Sequence, residues 1–422
     1  QPRLIGLTLR NVDDCFWPSG KSFLPDLAET IAAIRRHSDA PIVLGGVGFS
    51  IFPREIMEYL PVEFGIHGDG ESSLVELYKQ LTGARQYDKV PGLLWRQGGQ
   101  LFRNPPAWPE KLAIPAQRNG LDNPAYFRRG GQLGLETKRG CPRGCLYCAD
   151  PLAKGHFSRL RPPADVADEV ENLLAQQIDV LHLCDAEFNI PRHHALEVCH
   201  ELIRRSLGRR VRWYAYLAVV PFDDELAAAM HRAGCVGINF TVDSASPAML
   251  QLYHQPHRPP DIEQTVLLCR RHGITVMIDL LLGGPGETPD TLAETIRFMK
   301  QIGPDCVGAG LGVRLYPGTQ ITDKIAKSLD WHTSPALRRH YDGPINLLQP
   351  TFYISELLGD HPAEYIRELI DGDKRFFPPM PETPAPAASG SDHNYNDNLA
   401  LVRAIEQGRR GAYWDILRTL RP

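Results

Sequence analysis

Between Leu133 and Val313 short apolar runs alternate with amphipathic stretches of helical spacing, and this alternation restricts the possible folds more than any other feature of the chain. The strand candidates are Leu133–Lys138, Val180–Cys184, Val211–Leu217, Val236–Val242, Thr275–Leu282 and Cys306–Val313. Between them lie helical stretches at Ala164–Gln177, Ala195–Ser206, Asp224–Ala233, Ile262–His272 and Thr288–Ile302. Continuous apolar strands each followed by a helix are buried on both faces and pair in parallel. Six strands with five intervening helices predict a partial (β/α)6 barrel, with any chemistry at its carboxyl mouth.

The segment ahead of the barrel has the same grammar on a smaller scale. Strands are expected at Leu4–Leu9, Pro41–Gly48 and Glu63–Ile66, and helices at Asp26–His37, Glu55–Leu60 and Ser72–Leu81. This predicts an α/β, partial doubly wound, Rossmann-like domain over residues 1–82, whose glycine-ended strands would approach a ligand closely. Residues 83–130 are turn-rich, with Pro91, Pro105, Pro106, Pro109 and Pro115. They read as a hairpin, Gly92–Trp95 with Gln100–Phe102, followed by a linker. The barrel would occupy 131–320. A C-terminal helical region, 321–422, follows a turn at Tyr316–Thr319, with helices expected at Asp360–Asp371, Asn398–Glu406 and Ala412–Leu420 and a mobile Pro/Ala/Ser-rich linker at 378–391.

The first barrel strand runs into Lys138-Arg139-Gly140-Cys141-Pro142-Arg143-Gly144-Cys145-Leu146-Tyr147-Cys148. Glycines allow a tight loop in which the thiolates of Cys141, Cys145 and Cys148 converge on one metal cluster. Three ligands for a four-iron, four-sulfur (4Fe-4S) cluster leave one iron open, whereas a cluster that only carries electrons is closed by a fourth cysteine. A zinc site would want two paired groups of ligands, and the second pair is missing. The other cysteines, Cys15, Cys184, Cys199, Cys235, Cys269 and Cys306, stand singly in apolar segments, as buried free thiols do.

A net charge of −4 over 422 residues gives no ground for nucleic acid as principal partner. Positive charge gathers around the cysteine loop in Lys138, Arg139, Arg143, Lys154, His156, Arg159 and Arg161, either as a solvated basic loop or as a site for anionic cofactor groups. No run of roughly 18 apolar residues exists to span a membrane, and Gln1-Pro2-Arg3-Leu4-Ile5 has none of the regions of a signal peptide. Free thiols and an oxygen-sensitive cluster suit a reducing cytoplasm. The chain lacks an initiating methionine and opens almost directly on a strand, so it is expected to be part of a longer natural chain.

Polar residues recur just after the barrel strands, where a parallel barrel would place its chemistry. These are Asp185 and Glu187 after the second strand, Tyr214 and Tyr216 on the third, Asp243 and Ser244 ending the fourth, Gly284 and Glu287 after the fifth, and Arg314 after the sixth. Each also admits a structural reading. Asp185 could cap a helix, Gly284 with Pro285 could make a turn, and strand tyrosines are usually core.

The cysteine loop, with Tyr147 before its last cysteine, resembles that of the radical S-adenosylmethionine (radical SAM) enzymes. The strings around it, Lys138 to Pro142 and Tyr147 to Pro151, resemble the superfamily's cobalamin-binding branch. The resemblance implies that the amino and carboxylate groups of SAM occupy the open iron and that reductive cleavage yields a 5′-deoxyadenosyl radical. It also implies a TIM-type partial barrel and SAM contacts from Tyr147, Asp185, Glu187, Asp243, Ser244, Gly284, Glu287 and Arg314. Leu7 to Asp14, Gly45 to Ser50 and Gly68 to Glu71 look like the later half of a cobalamin-binding domain, in which Thr8, Arg10, Gly45, Gly46, Gly68, Gly70 and Glu71 would line the corrinoid. That domain's first strand–helix–strand portion would precede Gln1, which leaves three readings: a shortened sequence, a domain that no longer binds cobalamin, or one completed by another chain.

The implied reaction is cobalamin-dependent methylation of an unactivated carbon in a small molecule or natural-product intermediate, with a flavodoxin or ferredoxin as reductant. The alternatives are a cobalamin-independent radical rearrangement or cyclisation, and a non-catalytic iron–sulfur protein for electron transfer or sensing. Tyr214 and Tyr216 are the candidates to line the reaction chamber.

Overall fold

The computed structural model describes residues 2–112, 114, 118, 120–381 and 398–421; Pro115 and the linker expected at 378–391, from residue 382 onward, lie outside them. The first sheet runs in chain order through β1 (Ile5–Thr8), β2 (Ile42–Gly45), β3 (Phe64–Ile66), β4 (Leu93–Gln97) and β5 (Gln100–Arg103). β1, β2 and β3 pair in parallel, and the hairpin expected ahead of the linker joins the same sheet, with β4 antiparallel to β3 and β5 antiparallel to β4. The strand expected to run to Gly48 stops at Gly45, because Gly46 at φ +97° turns the chain into a short helix, Val47–Ile51. A Cβ at Gly46 would lie 2.5 Å from the Leu9 carbonyl oxygen, so only glycine fits that turn. Ile42, Leu44, Phe49, Phe52, Ile56 and Met57 fill the core beneath it.

The barrel begins with β6 (Leu133–Leu135), and β7 (Lys138–Arg139) pairs with β8 (Arg159–Leu160) at its rim. β9 (Val180–Leu183), β10 (Arg212–Ala218), β11 (Cys235–Asp243), β12 (Thr275–Leu282) and β13 (Cys306–Leu311) complete six parallel strands in the order β6-β9-β10-β11-β12-β13. Val313 and Arg314 do not extend the last strand. They form β14 (Val313–Arg314), which joins β15 (Leu337–Arg339) and β16 (Thr351–Tyr353) in a small antiparallel sheet. A seventh parallel strand, β17 (Phe376–Phe377), comes from the C-terminal region and adds to β13.

The connecting helices form as their patterns require. In Pro289–Ile302 the buried residues Leu292, Ile296, Met299 and Ile302 make one apolar stripe, Thr288 caps the first turn by accepting from Thr291 N, and Gly303 at φ +62° ends the last. No helix among the described residues is long and apolar enough to cross a membrane.

The helix Tyr413–Leu420 stoppers the amino end of the barrel. Trp414 meets Tyr214 edge-on at 5.8 Å, and Tyr214 Oη donates to Asp415 Oδ2 at 2.8 Å. Gly237 leaves room for this plug, since a Cβ there would be 3.0 Å from Trp414. Tyr214, a candidate for the chamber wall, is therefore part of the barrel's floor, as its apolar neighbours dictate.

Arg314 likewise has a partner other than the one expected. Its Nε and Nη2 donate to Asp13 Oδ2 at 2.9 and 2.8 Å, and Nη1 and Nη2 reach the carbonyls of Leu315 (2.6 Å) and Leu347 (3.0 Å). Both ionic partners are buried, and together they tie the loop after β1 to the rim of the barrel. A guanidinium with Nε and both terminal nitrogens committed inside the protein is a clamp between the two sheets and not a seat for SAM or a substrate anion. Asp13→Ala is expected to cost about 3–5 kcal/mol, because it leaves a buried cation uncompensated. Urea unfolding checks this, and a loss below about 1 kcal/mol, the scale of a surface pair, would contradict it.

Candidate functional site

The cysteine loop is pinned from several directions. Asp185, fully buried at the end of β9, accepts from Thr137 N at 2.7 Å, from the Thr137 hydroxyl, and from Lys138 N at 3.2 Å. Its carboxylate, expected to contact SAM, thus fixes the start of the loop. Gly140 at φ +86° makes the turn, where a Cβ would meet the Phe157 carbonyl oxygen at 2.2 Å. Leu146 is buried against Val313, Leu315 and Ile321, and its N–H and carbonyl bond Tyr253 O and Ile321 N at 3.2 and 2.9 Å. The Arg143 guanidinium donates to the Val220 carbonyl.

The basic residues around the loop are neither a solvated cluster nor a free anion site. Arg139 pairs with Asp69, Glu71 and Glu136, Lys154 with Asp150, Arg159 with Asp69, and Arg161 with Glu169. Lys138 Nζ is capped by the Ala186 carbonyl.

Cys141 is buried and Cys145 and Cys148 are half-buried, all as free thiols. Burial pushes the Cys145 thiol up to about 12, with the charges of Asp243 and Cys141 adding to it. Cys148 is raised as well, by burial first, then Asp150 and the other two cysteines. Three thiolates crowded away from water need a strongly cationic partner. Among the described residues no three His, Cys, Asp or Glu side chains close on a single ion. The three thiols lie near enough to raise one another, and a cubane, which presents its irons at separate corners, would supply such a partner.

Glu187 stands beside these thiols, in the left-handed region at φ +58°. Its Oε1 accepts from Thr241 Oγ1 at 2.6 Å, and its Oε2 is buried with no partner. Burial raises its carboxyl above the usual range. A buried acceptor that lacks a donor fits the N–H of an amino group.

Asp243 follows a register shift in β11 and also has positive φ, +63°, so its side chain turns toward the cysteine loop. It accepts from Tyr147 Oη at 2.9 and 2.8 Å and from Gln255 Nε2 at 2.6 Å, and burial pushes it up to about 7 against those bonds. Ser244 points elsewhere. Its buried hydroxyl meets Thr295 Oγ1 at 2.9 Å and accepts from Ser246 N, so it anchors the helix over β12 and does not join Asp243.

Gly284 has a packing reason, since a Cβ there would come within 2.0 Å of Tyr253 Oη. Glu287 closes the same turn by accepting from Gly283 N, is pushed up to about 7 by burial, and leaves Oε1 buried without a partner.

The sheet's two faces differ sharply. Leu181, Leu183, Trp213, Ala215, Ile278 and Leu280 face the helices and are buried, while on the interior face His182, Cys184, Tyr216, Thr241 and Asp279 keep accessible surface, Tyr216 at 39%, beside buried Tyr214, Asn239 and Met277. The barrel is therefore hollow along its polar strip. Arg10 projects its charge onto His182, Cys184 and Tyr216 of this strip, and so belongs with the barrel interior more than with the first sheet.

Thr8, Gly45, Gly46, Gly68, Gly70 and Glu71 line a separate cavity of about 680 Å³ beyond the carboxyl ends of β1–β3. Glu136, Arg139 and Lys154 of the barrel rim border it. Nothing lies within 4 Å of a Cβ built on Gly6 or Gly70, so backbone forms much of the floor. A glycine-floored cradle between the sheet and the cysteine loop fits a broad, flat cofactor such as a corrinoid.

Sequence reasoning missed Asn239, Thr241 and Asp279 on the inner face, and Gln255. Polar residues isolated within apolar strands were the available signal.

Residues 135–299 match the sequence profile of the radical SAM superfamily. Tryptophan 2-C-methyltransferase of Streptomyces laurentii is 30% identical, over 98% of this chain and 86% of that protein. The structure of the radical S-adenosylmethionine methyltransferase TsrM from Kitasatospora setae with tryptophan substrate and a SAM analog (aza-SAM) superposes with a TM-score of 0.89. It is 31% identical and covers 99% of this chain and 87% of that one. TsrM with cobalamin and a 4Fe-4S cluster bound gives 0.88 at 30% identity, with the same coverage.

Proposed function

The chain belongs to the radical SAM superfamily, in the branch that carries a cobalamin-binding domain, and we propose that it is a cobalamin-dependent methyltransferase acting on an unactivated carbon of a small molecule. The observation that carries this reading is likeness to a tryptophan 2-C-methyltransferase across both the first sheet and the barrel. When bound, the cluster supplies an electron to the sulfonium of SAM, and cobalamin carries a methyl group toward the substrate.

The chain's own residues divide that work. Cys141, Cys145 and Cys148 hold three irons of the cluster. Glu187, through its unpartnered oxygen, accepts an N–H of the amino group of SAM, and Asp243, fixed by Tyr147 and Gln255, borders the nucleoside. Thr8, Gly45, Gly46, Gly68, Gly70 and Glu71 seat the corrinoid at the mouth of the barrel. The hollow strip beneath Glu187 encloses the substrate and excludes water from a reactive centre. A flavodoxin- or ferredoxin-type reductant and a cytoplasmic setting accompany this reading, with no role for nucleic acid.

The test is anaerobic reconstitution with iron, sulfide and hydroxocobalamin, followed by reductant, SAM bearing a deuterated methyl group, and L-tryptophan as probe. Corrinoid-dependent release of S-adenosylhomocysteine with label in the probe is expected. SAM left intact by protein loaded with both cofactors would contradict the proposal.

A further inference from the structure

Asp279 stands midway along β12 with Ile278 and Leu280 buried on the opposite face, and its neighbours across the sheet are Thr241 on β11 and Gly308 on β13. Thr241 is the residue that donates to Glu187, so Asp279 adjoins the proposed SAM contact within the same interior. Asn239 Nδ2 donates to Asp279 Oδ2 at 2.8 Å. Asn239 is itself only 4% exposed, and its Oδ1 has no partner. The other oxygen of Asp279 faces Gly308, where a Cβ would lie 2.7 Å from Oδ1, so the glycine keeps that side clear.

The electrostatics point the same way. Burial raises the Asp279 carboxyl up to about 6, the bond from Asn239 opposes that rise, and no cation contributes. Asp279 forms no ion pair among the described residues, although the charge of Arg10 reaches its neighbour Tyr216. A half-buried carboxylate beside a buried, unsatisfied amide oxygen is a pair of acceptors with no salt-bridge partner among the described residues. Tyr216, an accessible inner-face side chain, offers a ring surface next to it.

We propose that Asp279 and Asn239 form an amine-recognition subsite: the substrate's ammonium group is held by Asp279 Oδ1 and Asn239 Oδ1 while its apolar portion lies on Tyr216. This rests on the reading above that the hollow of the barrel is the substrate chamber. The subsite determines specificity and orientation and takes no part in bond making. It selects small molecules that join a primary amine to an aryl group, and it discriminates against anionic analogues of the same shape.

Equilibrium dialysis of tryptamine and indole-3-propionate against the reconstituted protein with SAM tests this, using wild type, Asp279→Asn and Gly308→Ala. The effect of SAM on the reduced cluster's EPR signal is recorded for each sample. Tryptamine is expected to bind wild type and to bind Asp279→Asn about tenfold or more weakly, the scale of a lost charged hydrogen bond. Gly308→Ala is expected to weaken it as well, and indole-3-propionate to bind poorly throughout. Equal binding of the two probes by wild type, binding of neither, or unchanged tryptamine affinity in both variants would overturn the inference while the SAM response persists. Loss of the SAM response in wild type would instead overturn the functional reading beneath it.

Discussion

Anaerobically reconstituted Cys148→Ala protein is expected to lose its cluster, with iron content and visible absorbance at background and the affinity for the cluster down by more than about 100-fold, since even outer-shell partners of a metal are worth about 10–100-fold. The loop would keep its shape, because Gly140, Asp185 and the Leu146 packing fix it without the third sulfur. Cys199→Ala is the matched control. That thiol is also buried, but in a helix against the outer face of the barrel, and its removal should cost only packing. Iron and sulfide analysis beside circular dichroism separates the two. Equal cluster content in both variants would remove Cys148 from the ligand set.

Glu187→Ala is expected to weaken SAM by about 10–150-fold while leaving cluster content intact, the range for deleting one charge-assisted hydrogen bond. The argument is local: Oε1 is held by Thr241, Oε2 has nothing, and a positive φ aims the group into the site. Asp185→Asn should behave differently. It disturbs the anchoring of Thr137 and Lys138, so its effect should fall on loop order and cluster uptake before SAM affinity. Dialysis with labelled SAM alongside iron analysis reads both. Unchanged SAM affinity in Glu187→Ala would assign the orphan oxygen to something else.

The sequence carried the barrel well because its signals are local. Apolar runs, helix caps such as Thr288 and the clustered cysteines each announce themselves within a few residues. Direction of a side chain does not. Asp185 and Glu187 are two residues apart, yet one braces the loop and the other faces the site, because Glu187 takes up a left-handed backbone. The bulge between Thr241 and Asp243 likewise separates Asp243 from Ser244.

Long-range partners were equally invisible. Arg314 meets Asp13 across 301 residues, and Tyr214 meets Asp415 across 201, so both looked free for chemistry when read beside their strand neighbours. The two-residue strand β17 and the joining of the hairpin to β3 also depend on contacts that no local pattern encodes. Asp279 was overlooked for the opposite reason. It is surrounded by so many apolar residues that the strand dominated the reading, although a lone carboxylate on an inner face is itself the signal.

The most direct test of the central claim is the EPR spectrum of the reduced cluster with and without SAM, followed by hyperfine spectroscopy with SAM labelled with nitrogen-15 in its amino group. The account predicts that SAM shifts the signal and that the labelled nitrogen couples to the cluster, as direct binding at the iron not held by Cys141, Cys145 or Cys148 requires. A spectrum indifferent to SAM, with no coupling to the label, would contradict it.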